Sequence, residues 1–173
     1  MPNPDEPDWD QIVERYAERV FRIAFRILGS VHDAEDVMQD VFSETFKLHR
    51  NGPVRTWPGL IVRLSTLRAI DKLRARRSFA QLNENDRDVR SRATNDRPEH
   101  ALIAAELSTW LRAELDQLPD QQAAVFSLAY FEQLTRSEIA DALEMAPEAV
   151  SNSLHKARRR LMGRMTIFQG NRS

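Results

Sequence analysis

The sequence predicts an all-α protein in which a flexible linker joins two small helical domains. Three observations lead to this fold class. Apolar residues recur at helical spacings of three and four over most of the 173-residue chain. No segment shows a clear strand signal. A stretch rich in Asn, Asp, Arg and Ser interrupts the helical pattern, so we place the domains at 8–77 and 102–165 and the linker at 78–101.

Three helices are predicted in the first domain. The first runs from Trp9 to Leu28 and ends at Gly29, a residue that favours helix termination. The second runs from 33 to about 48 and is followed by a turn cluster at 50–53. The third begins near Pro58, since proline suits a first helical position, and continues to about 77. Its apolar residues point to more than one side, which indicates a helix packed on two faces.

Four helices are predicted in the second domain. They span 98–115, 119 to about 131, 135 to about 144, and 147 to about 165. The third of these opens with Thr135 and Glu138, the spacing of a capping box in which hydroxyl and carboxylate satisfy free backbone amides.

Bulk composition favours a soluble cytoplasmic protein without cofactors. Hydrophobic residues make up 42% and charged residues 29%, which allows a packed core and argues against wholesale disorder. No apolar run approaches the length of a membrane span, and the acidic start lacks the pattern of a signal peptide. The chain has no cysteine, and its four histidines show no metal-ligand spacing.

Charge is distributed unevenly around a net value of −1. Residues 55–77 and 146–173 are basic, whereas 1–50 and 102–145 are acidic. Such a chain could contact a polyanion at two places and another partner through its acidic surfaces. Charge alone favours ordinary solvated faces, so the assignment depends on motifs.

The segment 135–161 has the spacing of a helix-turn-helix, with a break at 144–146. Four apolar residues form the predicted buried stripe of its second helix: Val150, Leu154, Ala157 and Leu161. The opposite face carries short polar groups near its start and cations toward its end, as expected for base and phosphate contacts. An ordinary amphipathic hairpin with a basic end is the alternative.

Three segments resemble extracytoplasmic-function sigma factors of RNA polymerase. The stretch 118–161 resembles their region four, with its Leu-Pro opening, its Glu-Ile-Ala helix and its Ala-Arg-Arg-Arg-Leu end. The stretch 33–42 (DAEDVMQDVF) resembles the polymerase-binding helix of region two, and 60–77 resembles the helix that follows. About two-thirds of the chain is covered, in the order that the family shows.

The resemblance implies a non-enzymatic protein that binds core RNA polymerase and promoter DNA. It nominates three polymerase contacts: Asp36, Gln39 and Asp40. It implies that the loop 48–56 captures a base from the opened minus-ten element, with phosphate contacts behind it: His49, Arg50, Asn51, Arg55, Arg63, Arg68, Lys72 and Arg74. It places the minus-thirty-five contacts on the last helix: Ser151, Asn152, His155, Lys156, Arg158 and Arg159. An anti-sigma factor is a further partner that the family allows.

The sequence departs from the family at several positions. Glu144 stands where the turn usually has glycine, and so must either adopt a strained backbone or avoid the left-handed conformation. Leu67 replaces a frequent asparagine associated with strand opening. Trp57 stands where phenylalanine is common, and we expect it to anchor the core. We expect Asp71 to order the neighbouring arginines rather than to contact DNA.

Two other function classes fit the sequence less well. A helix-turn-helix regulator that is not a polymerase subunit explains 135–160 but leaves the acidic second helix and basic third helix as coincidence. An enzyme finds no support in the sequence, which shows no glycine-rich phosphate loop, no nucleophile with a base and no plausible metal cluster.

Overall fold

The computed structural model describes residues 7–82 and 99–170. Those residues form seven helices and no strand, which confirms the all-α fold class. The helices are α1 (Trp9–Leu28), α2 (Val31–Asn51), α3 (Trp57–Leu82), α4 (Glu99–Gln117), α5 (Asp120–Tyr130), α6 (Arg136–Leu143) and α7 (Pro147–Gly170). Positions 83–98 of the predicted linker lie outside the described residues.

The junction between α1 and α2 is a tight reversal made by two adjacent residues. Gly29 caps α1 in the left-handed conformation, with φ of 67° and ψ of 13°. Ser30 then caps α2, because its hydroxyl accepts a hydrogen bond from the Asp33 amide at 3.3 Å. The glycine also allows a close approach, since a Cβ there would lie 2.8 Å from the guanidinium of Arg112. This junction is therefore a contact point between the two halves of the chain.

Helices α2, α3 and α7 are longer than the sequence predicts, and α7 reaches Gly170 instead of ending near 165. Helix α2 reaches Asn51 instead of ending near 48, because the turn begins only at Gly52 and Pro53. Helix α3 continues to Leu82 instead of ending near 77, since residues 78–82 include no glycine or proline that would stop it.

The three N-terminal helices pack around one apolar core. Val20 and Ile23 of α1, Val37 of α2, and Ile61 and Ile70 of α3 are at most 2% exposed. Helices α5, α6 and α7 pack around Leu128, Ile139, Val150 and Ala157, which belong to the same contiguous cluster of buried residues as the N-terminal core. Burial of these side chains supplies the main stabilisation of each bundle.

The C-terminal bundle also packs on α3 through α5 and α6. Helix α3 thus contacts α1 and α2 on one side and the second bundle on the other. This agrees with the expectation of a helix packed on two faces. It also brings the basic block of the N-terminal domain against the acidic part of the C-terminal domain.

Candidate nucleic-acid interface

The cations of α3 fall into two groups according to their partners. Arg68, Lys72 and Arg76 pair with acidic residues of the N-terminal bundle. A second group pairs with acidic residues of the C-terminal half and comprises Arg63, Arg74 and Arg77, together with Arg55 just before the helix. Five predicted minus-ten contacts therefore already have carboxylate partners: Arg55, Arg63, Arg68, Lys72 and Arg74.

Arg68 is held by two carboxylates. Its Nε and Nη2 donate to the two oxygens of Glu44 at 2.6 and 2.7 Å, which is a bidentate pair. Its Nη1 donates to Asp71 at 2.9 Å. These carboxylates, Glu44 first, raise the pKa of Arg68. Asp71 thus orders a neighbouring arginine, as the sequence analysis expects.

Lys72 links α3 to the acidic face of α2. Its Nζ lies 2.6 Å from Asp36 Oδ2 and 3.6 Å from Asp33 Oδ1. The hydrogen bond from Lys72 lowers the pKa of Asp36 below its usual range, and the same bond raises the pKa of Lys72. A predicted polymerase contact and a predicted DNA contact therefore neutralise each other.

The other two predicted polymerase contacts face solvent. Gln39 and Asp40 are exposed on α2, and neither has a hydrogen bond or ion pair with the residues that the structure describes. An external partner could therefore contact Gln39 and Asp40 without breaking a hydrogen bond or an ion pair among the described residues.

Three of the predicted loop residues lie in the last turn of α2. His49, Arg50 and Asn51 were predicted to lie in a loop, and this was wrong because the helix includes them. The helix continues because no residue before Gly52 interrupts it. The loop proper therefore starts later, at Gly52, and is shorter than predicted.

An aromatic cluster fixes the end of α2 against the start of α3. The Trp9 ring lies 4.9 Å from the Phe46 ring, and 5.6 Å from the His49 ring and from the Trp57 ring. Trp57 is partly buried and packs on the core, which supports its expected role as an anchor. His49 is therefore packed among aromatic rings, while the Arg50 guanidinium lies 5.9 Å from the Phe46 ring.

Helix α7 has the two faces that the sequence predicts. The stripe residues Val150, Leu154, Ala157 and Leu161 are buried, at 0 to 6% exposure. The candidate DNA contacts Asn152, His155, Lys156 and Arg159 are exposed and make no hydrogen bond or ion pair with described residues. Their availability contrasts with the paired cations of α3.

Two other candidates on α7 have internal partners. The Ser151 hydroxyl donates to the Pro147 carbonyl at 3.1 Å and is partly buried. Arg158 is exposed, donates to the Tyr130 hydroxyl and lies 5.3 Å from the centre of that ring. Arg158 thus starts from a stacked position rather than from free solution.

In the turn before α7, the backbone of Glu144 adopts the strained left-handed conformation rather than avoiding it. Glu144 has φ of 54° and ψ of 47°, which is the left-handed region that glycine usually occupies.

The Thr135–Glu138 capping box of α6 is confirmed, with the Thr135 amide donating to Glu138 at 2.7 Å and the Glu138 amide donating to Thr135 at 3.3 Å.

The carboxylate partners of the α3 cations in the C-terminal half were not predicted from the sequence. Asp116, Asp120 and Asp141 were noticed only as part of an acidic stretch, and Glu144 only as an unusual turn residue. Glu132, whose side chain is 4% exposed and pairs with Arg19 and Arg26 of α1, was not singled out. The complementary signs of 55–77 and 102–145 are the signal that could have suggested the pairing.

Two kinds of feature are absent from residues 7–82 and 99–170. No group of three or more His, Cys, Asp or Glu residues there could hold a metal ion. No helix there is both long and apolar enough to cross a membrane.

Two family profiles match the chain. "Sigma-70 region 2" matches residues 12–79, and "Sigma-70, region 4" matches residues 108–161. Neither profile describes an enzyme. The first covers most of the N-terminal bundle and the second most of the C-terminal helices.

Curated relatives show the same similarity over nearly the whole chain. "ECF RNA polymerase sigma factor SigE" of Mycolicibacterium smegmatis is 33% identical over 156 residues, which is 90% of this chain and 60% of that protein. "ECF RNA polymerase sigma factor SigW" of Bacillus subtilis is 26% identical over 168 residues, which is 91% of this chain and 88% of that protein. This chain thus corresponds to only part of the first relative.

A solved structure has a similar fold. The chain of "CnrH in complex with the cytosolic domain of CnrY" matches with a TM-score of 0.59 at 18% identity, over 92% of this chain and 88% of that one. At this identity the likeness concerns the arrangement of the helices.

Proposed function

Because the chain belongs to the extracytoplasmic-function (ECF) sigma factors of RNA polymerase, we propose that it binds core RNA polymerase and directs it to promoters. The proposal assigns polymerase binding and minus-ten recognition to 8–77, a tether to 78–101, and minus-thirty-five recognition to 102–165. It makes the protein a specificity subunit that catalyses no reaction itself and acts in the cytoplasm, where polymerase and DNA are.

The observation that carries the proposal is the pair of cationic surfaces on separate helical bundles. One runs along α3, and the other is the exposed face of α7. A single regulator bundle would need only the second surface. Two surfaces match two promoter elements, and the tether would make the second contact effectively intramolecular.

The α7 surface has the composition of a recognition helix. Asn152 and His155 lie toward its N-terminal half and would contact base edges, whereas Lys156, Arg158 and Arg159 would contact phosphates. Ser151 is partly buried and would contribute at the edge of this surface. Its hydroxyl would first have to leave the Pro147 carbonyl.

The minus-ten surface would act on opened DNA. His49, Arg50, Asn51 and Arg55 flank the short loop after α2, where a base turned out of the non-template strand would be held. Arg63, Arg68, Lys72 and Arg74 would contact the phosphates beside it. Contacts made only with the opened strand stabilise the melted state relative to the duplex, which is how a binding protein promotes strand opening.

Exposed groups on α2 would contact the polymerase. Asp40 and Gln39 present a carboxylate and an amide without internal partners in the described residues, and Asp36 would join them if Lys72 moved away. A basic surface on the polymerase would complement these carboxylates. An inhibitory protein partner is also compatible with the proposal, since CnrH is described in complex with the cytosolic domain of CnrY.

Binding to purified core polymerase tests the proposal. The protein carries a fluorescent label, and its affinity is compared with that of Asp40→Lys and of Glu14→Lys. Glu14 is an exposed acid on α1 and receives the same charge reversal. We expect Asp40→Lys to weaken binding about tenfold or more, since like charges would then face each other, and Glu14→Lys to leave it unchanged.

The same measurement separates the sigma factor from the alternative regulator. A helix-turn-helix regulator that is not a polymerase subunit would show no saturable binding to core polymerase. Equal affinity of Asp40→Lys and the unmodified protein would remove the α2 contact from the proposal, even if polymerase binding itself were observed.

A further inference from the structure

We propose that Tyr130 of α5 positions Arg158 of α7, so that the two terminal nitrogens of the guanidinium form a phosphate-binding site on the flank of α7. The inference rests on the proposed function, because it concerns how the α7 surface would hold DNA. It adds to that surface a residue that lies outside α7 and carries no charge.

The side chains of Tyr130 and Arg158 meet where α5 packs on α7. Arg158 donates a hydrogen bond from Nε to the Tyr130 hydroxyl, and its guanidinium carbon lies 5.3 Å from the centre of the Tyr130 ring. The ring attracts the guanidinium in addition to the hydrogen bond. Two interactions with one residue therefore restrict the directions that the long Arg158 side chain can take.

The contact with Tyr130 leaves the other end of the guanidinium free. Arg158 is exposed, and its Nη1 and Nη2 have no hydrogen bond or ion pair with the residues that the structure describes. Two parallel N–H groups of a guanidinium match two oxygens of a phosphate group. Nη1 and Nη2 can thus bind one phosphate together while Nε stays on the hydroxyl.

Tyr130 is a neutral partner, which favours the binding of an anion. Arg164 on the same helix pairs instead with the carboxylate of Glu114 at 3.2 Å. A carboxylate orients an arginine but also neutralises it, so that a phosphate would have to compete with the carboxylate. The phenol of Tyr130 orients Arg158 and leaves its full positive charge for DNA.

The Tyr130 ring is anchored to the core. Its centre lies 4.5 Å from that of Phe126, one turn earlier on α5, and Phe126 is 8% exposed. Tyr130 is 44% exposed, so its ring extends from the core to the surface. A tyrosine has few rotatable bonds and loses little conformational entropy when it holds another group. Part of the entropy that Arg158 would lose on binding DNA is thus already lost in the free protein.

Three other cations of α7 lack such support. Lys156, Arg159 and Arg160 are exposed and make no hydrogen bond or ion pair within residues 7–82 and 99–170. DNA would have to immobilise each of these side chains itself, at a cost in side-chain entropy. Arg158 should therefore contribute more to binding than an equally charged neighbour does.

A double-mutant cycle on duplex DNA tests the proposal. Tyr130→Phe removes the hydroxyl and keeps the ring, and Arg158→Ala removes the guanidinium. The probe is a mixed-sequence duplex of about 30 base pairs, because phosphate contacts do not depend on sequence. We expect Tyr130→Phe to weaken binding about two- to fivefold, the range of one hydrogen bond, and to have no effect in the Arg158→Ala protein.

The salt dependence of duplex binding separates positioning from charge. Tyr130→Phe removes no charge and should leave the salt slope unchanged, whereas Arg158→Ala should reduce it by about 1. Tyr16→Phe is the matched control, because it removes the hydroxyl of the other tyrosine in the chain. Tyr16 lies on α1, with the Arg15 guanidinium 5.6 Å from its ring. This control should leave duplex binding unchanged.

NMR of the arginine Nε–H groups measures the contact without DNA. We expect the Nε–H of Arg158 to exchange with water more slowly than that of Arg159, because a hydrogen bond protects it. Tyr130→Phe should remove this protection. Equally fast exchange of the two groups in the unmodified protein would show that the contact does not form.

Several results would overturn the positioning role. These are tighter duplex binding by Tyr130→Phe, an equal loss in the Arg158→Ala protein, an equal loss with Tyr16→Phe, and no duplex binding at all. The expected coupling between Tyr130 and Arg158 without any affinity for core polymerase would refute the sigma factor role alone. Polymerase binding without this coupling would refute the role of Tyr130 alone.

Discussion

Lys72 Nζ lies 2.6 Å from Asp36 Oδ2, which connects the acidic face of α2 to the basic face of α3. The hydrogen bond lowers the pKa of Asp36, so the folded state favours the ionised carboxylate. A polymerase that attracted Asp36 would leave Lys72 with only its longer contact to Asp33, at 3.6 Å, and thus more accessible to a phosphate. Polymerase binding and DNA binding could therefore be coupled through this one pair.

The Asp36–Lys72 pair predicts a pH-dependent loss of stability in acid. The contribution from a lowered pKa is present above the ordinary value of 3.8 and is lost as the pH falls through the lowered pKa. We expect Asp36→Asn to be less stable than the unmodified protein at neutral pH, and this difference to shrink at acidic pH. Urea unfolding across the pH range measures it. A difference that stayed constant down to the acid transition would contradict the assignment.

The capping box of α6 predicts a second stability effect. Thr135→Ala removes the hydroxyl that accepts from the Glu138 amide and should cost about 1 kcal/mol in the free energy of unfolding. Glu138→Gln should cost less, because glutamine can still accept a hydrogen bond from the Thr135 amide. Thermal or urea unfolding of both variants checks the order. A larger loss for Glu138→Gln would mean that its charge matters more than its capping geometry.

Replacing a side chain with alanine should affect the free energy of unfolding differently on the buried and on the exposed face of α7. Leu154 is 6% exposed in the core, so Leu154→Ala should lower the free energy of unfolding by about 2–5 kcal/mol. Asn152→Ala, on the exposed face of the same helix, should change stability by less than about 0.5 kcal/mol. Unfolding curves of the two variants test this. Similar losses at both positions would show that the exposed face is not exposed in solution.

Base reading and phosphate binding on α7 should be separable. Replacing Asn152 and His155 with Ala should reduce binding to the cognate minus-thirty-five element more than binding to unrelated duplexes. Arg159→Ala should weaken binding to all duplexes similarly and reduce the salt slope by about 1. Affinities measured over a range of salt concentrations distinguish them. Equal losses on every sequence for the first variant, or an unchanged slope for the second, would be the contrary results.

The sequence predicts the features of the fold that depend on nearby residues. The end of α1 at Gly29, the Thr135–Glu138 capping box and the buried stripe of α7 all follow from spacings of one to four residues. The ends of the helices were predicted less accurately. Residues 78–82 were assigned to the linker, yet the helix continues through them because they include no glycine or proline.

The candidate site was predictable in part. The exposed face of α7 follows from its helical period, whereas the partners of the α3 cations depend on how two bundles pack. Arg63 and Glu144 are far apart in sequence, and no local pattern brings them to 2.6 Å. The only sequence feature that indicated this pairing is the opposite charge of 55–77 and 102–145. The sequence did identify Glu144 as an unusual turn residue, although not its partner.

The most direct test of the central claim is a genome-wide map of transcription start sites made by purified core polymerase with and without this protein. The account predicts a new set of starts that share two sequence elements, and loss of those starts with Asp40→Lys. An identical map with and without the protein would contradict it.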